Sequence, residues 1–384
     1  YETTKAVIVG GTTTIIDYAP QDPGCGLIES ALHRIHVRAK GKTCVDFALH
    51  SLITEVTDSM FEEIKELPKY GIASIKAFMA YIGSPLHVDD GTLVRVMEES
   101  KKVGVTVFVH AENGEIIKML QTECVKAGKT EPKYHAVSRP PMVETEATKR
   151  AIYLAEQIDT PVFIVHISCK GAADAVAEAK AKRQRVYGET CTQYLTTTKE
   201  KLDNPDFNEA AKYVCSPALR DEQELKAMWQ GVRDGILSAI VSDHCGIDLA
   251  EMKQEGRNNF VDIPNGAPGA ADRINMISKQ KFVEVCATLP AKINGIYPRK
   301  GTIAVGSDAD IVIFDPTYRG TIRLEDNPNG VDYNIYEGRE QIGRPETVLL
   351  RGKVVVDHAT FVGKLGQGEF IASEAYAYCY EGRK

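Results

Sequence analysis

The sequence predicts an α/β fold: a (β/α)8 TIM-like barrel whose first strand is absent from this chain, with a small C-terminal β-sandwich module. Three observations carry that expectation. Seven short β-like runs alternate with helix-like segments between residues 12 and 244. No Gly-rich dinucleotide fingerprint follows any of these runs. Beyond residue 300 the texture turns β-rich and helix-poor. Strands alternating with helices build βαβ units and a parallel sheet.

In order, the runs are TTTIID (12–17), VDFALH (45–50), SIKAFM (74–79), TVFVHA (106–111), PVFIVHI (161–167), QRVYGET (184–190) and LSAIVSDH (237–244). The segments between them include DSMFEEIKELPKYG, DGTLVRVMEESKKVG, EATKRAIYLAEQID, GAADAVAEAKAKR and DEQELKAMWQGVRDG. Their apolar residues recur at three-to-four spacing with charges on the opposite face, and several close on Gly, a frequent helix stop. Two GKT triplets, at Gly41 and Gly128, have His36 and Glu123 where a phosphate loop needs its first Gly. A doubly wound nucleotide-binding sheet therefore has no support. Residues 1–300 are assigned to the barrel, and 301–384, with GTIAVGSDADIVIFDP and ETVLLRGKVVVDHATFVG, to the β-rich part and tail.

Composition narrows the function. A formal net charge of −7 argues against nucleic acid or an anionic membrane as partner. Nine cysteines, an odd number with no CxxC pair, suit reduced thiols in a cytoplasmic protein. No apolar run approaches the ~18 residues of a membrane span, and YETTKAVIVGG has no signal-peptide character.

Barrel enzymes carry their working groups at the C-terminal ends of the strands. Here those positions hold Lys76, His110, His166 and Asp243, the last followed by His244. Each alone has an ordinary reading: a structural histidine, a turn aspartate, a paired lysine. Lys76 is the awkward one, because an ammonium inside an apolar strand is costly without a partner. Together, on four strand ends, imidazole and carboxylate groups suit zinc or a related divalent metal. His33 and His36 read as a solvated helix face, and His87, His135 and His358 fall in loops or the β-rich end. Tyr81, five residues past Lys76, is open to packing or catalysis.

The blocks GGTTTIIDYA, SIKAFMAY, VHAENG, YHAVSRPP, YGETCTQYL, YVCSPALRD, SDHC, IPNGAPG and PRKGTIAVGSDADIVIFDP run end to end in an order that resembles the hydantoinase and dihydropyrimidinase branch of the amidohydrolase superfamily. That resemblance implies carbamylation of Lys76 by carbon dioxide, turning a cation into an anionic ligand that bridges two metal ions. It implies His110 and His166 on one ion and Asp243 on the other, with Zn2+ the expected metal and Mn2+ or Co2+ as alternatives. The implied reaction is attack by a metal-bridging hydroxide on a cyclic amide carbonyl, giving an N-carbamoyl amino acid. Asp243 would act as general base and acid, Tyr81 would stabilise the oxyanion, and Ser216 and Asn265 would bind the ring's amide edge. A homotetramer is implied as well.

Two departures stand out. The family's His-x-His pair, at the end of its first strand, occurs nowhere in these residues and is expected just upstream of Tyr1, together with the absent strand. After NGAPGAADRINMIS the chain is shorter than relatives before KFVEVCATLPAKI. Two other functions remain: a non-catalytic scaffold of the same fold, and an allantoinase-type ureide hydrolase. Survival of Lys76, His110, His166 and Asp243 favours the enzyme over the scaffold.

Overall fold

The structure, a computed structural model, describes residues 1–276, 282–326 and 329–381. The shortened stretch after Met276 falls at 277–281, outside the described residues. Helix α1 (Glu2–Val9) precedes strand β1 (Thr14–Pro20); α2 (Leu27–His33) leads to β2 (Asp46–Leu52), and α3 (Asp58–Glu66) to β3 (Ser74–Phe78). Helix α4 (Asp90–Val103) precedes β4 (Thr106–His110), which is followed by α5 (Gly114–Lys126), the short α6 (Tyr134–Val137), α7 (Pro141–Ile158) and β5 (Val162–Ile164). Next come α8 (Lys170–Ala181), β6 (Val186–Cys191), α9 (Thr192–Thr196), α10 (Phe207–Ala211), α11 (Glu222–Arg233) and β7 (Ala239–Val241). The seven strands lie in sequence order, β1 to β7, every pairing parallel.

Local chemistry sets these boundaries. The side chains of Thr57, Asp89, Asn113 and Asp221 accept from the first-turn amides of α3, α4, α5 and α11, satisfying donors that a helix start leaves unpaired. Met60, Phe61 and Ile64 give α3 one buried stripe, and Leu93, Val96 and Met97 do so for α4.

Register decides what faces the barrel interior. Lys76 pairs with Phe108, Phe108 with Phe163, and Phe163 with Tyr187. Phe108 and Phe163 stack at 4.4 Å, and with Val165, Tyr187 and Cys379 they form an apolar floor. Because side chains alternate along a strand, His110 and Glu189 stand one layer above that floor, two residues past Phe108 and Tyr187.

The β-rich end forms one four-stranded antiparallel sheet, ordered β11-β10-β9-β8, from β8 (Ile311–Thr321), β9 (Glu340–Leu350), β10 (Lys353–Asp357) and β11 (Thr360–Phe361). Val7 and Ile8 of α1 pack on its Val348, Leu350, Val355 and Val356. The tail returns to the barrel: Ile371 N–H donates to the Phe47 carbonyl at 2.7 Å, and Tyr376 N–H to that of Gly104 at 2.9 Å. Among the described residues no helix is long and apolar enough to cross a membrane.

Candidate metal centre and substrate loops

Lys76 is 2% exposed, and among the described residues its ammonium has no carboxylate within ion-pair distance. Aromatic rings lie beside it: Nζ is 4.9 Å from the Phe78 ring centre and 5.5 Å from that of Tyr18. Ring faces compensate a desolvated cation only in part. Burial therefore pulls the Lys76 pKa below the ordinary lysine value, against the opposing pull of Asp243 and Glu189.

The imidazoles converge beside it. His110 and His166 sit 4.5 Å apart, ring centre to ring centre, nearly perpendicular. The Nε2 of His110 lies 2.8 Å from Glu112 Oε2. Burial raises the Glu112 pKa, but Arg139 and His110 outweigh it and hold the carboxyl at about 2. An ionised carboxylate only accepts, so Nε2 carries the proton and the lone pair sits on Nδ1, free for a ligand. His166 Nδ1 is buried without any hydrogen-bond partner. Burial holds both imidazoles neutral, lowering their pKa values, with Lys76 acting in the same direction.

A buried ionic chain ties the two histidine segments together. Arg139 Nη1 donates to Glu112 Oε2 at 2.7 Å, and Arg220 Nη1 donates to the Arg139 carbonyl. Arg220 Nη2 donates to Glu144 Oε2 at 2.9 Å, and Glu144 Oε1 accepts from Ser168 N–H at 2.7 Å, two residues past His166. Two carboxylate–guanidinium pairs, Glu112 with Arg139 and Glu144 with Arg220, are joined through the Arg139 carbonyl, so each buried charge is paired.

Backbone strain gathers at the same place. Tyr81 (φ 62°), His166 (φ 41°) and Asp243 (φ 47°) all occupy the left-handed region, at a cost of about 1–3 kcal/mol each. Such residues cluster where function demands an orientation that packing alone would not choose. The Tyr81 ring lies 5.4 Å from His110 and 5.5 Å from the Arg139 guanidinium. Burial raises its phenol to about 12 despite Arg139, so the hydroxyl stays a donor at neutral pH. Burial likewise raises Asp243, with Lys76 opposing.

Ser216 and Asn265 sit on two loops that meet here. Ser216 lies within interaction range of the Tyr81 hydroxyl. Gly266 N–H, next to Asn265, donates to the Val214 carbonyl at 3.0 Å, while Cys245 N–H donates to that of Ala267 at 3.1 Å. Gly266 has φ +147°, and a Cβ there would fall 2.6 Å from Cys245 Sγ. Only glycine lets this loop lie against the end of β7.

Among the described residues, no three His, Cys, Asp or Glu side chains are arranged to hold an ion by themselves. The donor set fits a metal pair once Lys76 supplies a carboxylate, because it then combines that oxygen ligand with the unpaired His166 nitrogen, His110 Nδ1 and Asp243. Sequence reasoning passed over Glu112, Arg139, Glu189 and His135. Glu189 carried a readable signal, a charged residue on the floor-facing register of an apolar strand. His135, set aside as a loop histidine, is buried with Nε2 2.8 Å from the Cys215 carbonyl.

A parallel barrel with such groups at its strand ends defines a metal-dependent hydrolase, and comparison with known proteins agrees. The amidohydrolase family profile matches residues 2–355. The D-hydantoinase of Rhizobium radiobacter is 46% identical over 382 residues, spanning 97% of this chain and 83% of that protein. A solved D-hydantoinase superposes with TM-score 0.95 at 45% identity, covering 98% of this chain and 83% of that one. The crystal structure of dihydropyrimidinase from Brevibacillus agri does so with TM-score 0.95 at 41% identity, covering 98% and 84%. The chain belongs to the amidohydrolase family, in its hydantoinase and dihydropyrimidinase branch.

Proposed function

We propose that this chain hydrolyses the cyclic amide bond of hydantoins or dihydropyrimidines to N-carbamoyl amino acids. In this reading two divalent ions, Zn2+ ahead of Mn2+ or Co2+, are held by Lys76 as its carbamate and by His110, His166 and Asp243. The observation that carries it is the unpaired, buried Lys76 amine beside two neutral imidazoles. A lowered pKa enlarges the neutral fraction, and only the neutral amine adds to carbon dioxide, forming the N–C bond and releasing a proton. The carbamate replaces a costly buried cation by an anion that cations can neutralise.

Ions held by the Lys76 carbamate, His110, His166 and Asp243 would lower the pKa of a bound water towards neutrality. The protein does the rest. Asp243, whose carboxyl burial makes more basic, takes the proton of the attacking water and returns it to the leaving ring nitrogen. The protonated Tyr81 hydroxyl donates to the oxygen on which negative charge develops. Main-chain groups of Ser216 and Asn265 hold the ring's amide edge, so orientation is paid for before reaction. The nine free cysteines support a cytoplasmic setting, and the same reading carries a homotetramer.

The test is metal analysis with parallel turnover of dihydrouracil, 5-substituted hydantoins and allantoin. Two ions per chain with turnover of either of the first two rings is the expected result. A protein that binds no metal and opens no ring is a scaffold, and preference for allantoin makes it a ureide hydrolase.

A further inference from the structure

Two buried side chains behind the substrate loops have no part in the chemistry above. His135, in α6, is 1% exposed, and Lys253 is fully buried. The Nε2 of His135 is 2.8 Å from the Cys215 carbonyl; a carbonyl only accepts, so this nitrogen carries the proton. Lys253 Nζ donates to the Val214 carbonyl at 2.9 Å and to the Pro264 carbonyl at 3.2 Å. Among the described residues neither side chain is ion-paired to a carboxylate. Burying an ammonium against carbonyls alone is expensive, and a methionine would fill the same volume without that cost. Packing does not explain the choice of lysine.

Peptide geometry does. In a trans peptide the C=O and the following N–H point in opposite directions. A Cys215 carbonyl held on His135 turns the Ser216 N–H away from α6, and a Pro264 carbonyl held on Lys253 turns the Asn265 N–H away from the lysine. Among the described residues neither N–H has a protein partner. These two residues are the ones whose main chain is assigned to the amide edge of the ring.

We infer that His135 and Lys253 are positioning residues: each fixes, through a carbonyl, the direction of one backbone N–H that donates to a carbonyl oxygen of the substrate ring. Lys253 also spans both loops, so it sets the distance between the two donors. This rests on the cyclic-amide reading of the site.

The test compares hydantoin with 2-thiohydantoin, whose sulfur is a weaker acceptor, on zinc- and bicarbonate-loaded protein. His135→Phe and Lys253→Met remove the donors. Each is expected to raise KM for hydantoin about three- to ten-fold, the worth of one hydrogen bond, with a much smaller change in kcat. For the thio ring, KM should change less than about two-fold, since that hydrogen bond is already weak. His135→Gln restores an N–H of similar reach and should recover most of the hydantoin KM. Lys253→Gln, with one carbonyl of two served, should fall between wild type and Lys253→Met, and it carries the lysine arm if Lys253→Met does not fold. Equal factors for both rings, or loss confined to kcat and thermal stability, would overturn the inference. Wild-type protein that opens neither ring overturns the functional reading and this inference with it; active wild type with ring-blind variants overturns the inference alone.

Discussion

Lys300 and Lys76 are both buried in the barrel, 4% and 2% exposed, and they are opposites. Lys300, where the barrel meets the small sheet, donates to Asp46 at 2.6 Å and Asp310 at 2.7 Å, and lies 2.9 Å from Asp308. Burial opposes its charge, but Asp310 and Asp46 outweigh burial and hold its pKa above the ordinary value. Arg351 shares Asp46 from the far side. At the strand ends Lys76 has aromatic rings and imidazoles where Lys300 has carboxylates, and its pKa is lowered. The same residue type at the same depth is finished in one place and unfinished in the other. A complete ion cluster holds two sheets together. An amine without a carboxylate partner among the described residues is the group on which the proposed carbamylation would act.

The sharpest way to break this comparison is to remove both amines. Lys76→Ala is expected to lose bound metal and at least about a thousand-fold in kcat, a loss on the scale of a principal electrostatic catalyst. Short carboxylic acids should restore part of it, and normal zinc content in that variant would refute the bridging role. Tyr81→Phe should lower kcat by about 10²–10³, the usual cost of an oxyanion donor, with zinc content unchanged by metal analysis. Lys300→Met should cost about 3–5 kcal/mol of stability, because Asp46, Asp308 and Asp310 lose their shared cation. Its urea midpoint should fall while kcat of the folded fraction stays the same. Lys76→Met, measured without metal, should move the midpoint the other way, since it removes a buried charge that has no ion-pair partner among the described residues.

A further effect, comparable in size to that of Lys300→Met by pH 5, concerns pH. Burial pushes His50 and His135 down to about 3 from an ordinary value of 6.5. The unfolded chain therefore binds protons below pH 6.5 that the folded chain refuses. Stability is complete above that value and falls as the pH drops towards 3. Each imidazole contributes a slope of about 1.4 kcal/mol per pH unit across the window, which urea titrations at pH 7, 6 and 5 would measure. A midpoint independent of pH would mean these histidines are charged in the folded state.

The strands and the four polar strand ends were legible because both rest on local pattern. An apolar run that is interrupted by Lys76, or that stops at His110, His166 or Asp243, advertises itself within a few residues. The supports of the site were not legible, because their partners are far apart in the chain. Arg220 meets Glu144 across 76 residues, and His135 meets the Cys215 carbonyl across 80. No periodicity encodes such a pairing, so His135 read as a loop residue. Helix α5 went unmarked for a related reason: Ile117 and Cys124 are its buried apolar side chains, a sparse stripe. The left-handed backbone at Tyr81, His166 and Asp243 was equally silent, since none of those residue types announces it as glycine would.

Carbon-13 NMR of the zinc-loaded protein prepared with labelled bicarbonate tests the central claim most directly. The account predicts one protected carbamate resonance per chain, present in the wild type and in Lys300→Met and absent from Lys76→Ala. A fully active, metal-replete protein with no such resonance would contradict it.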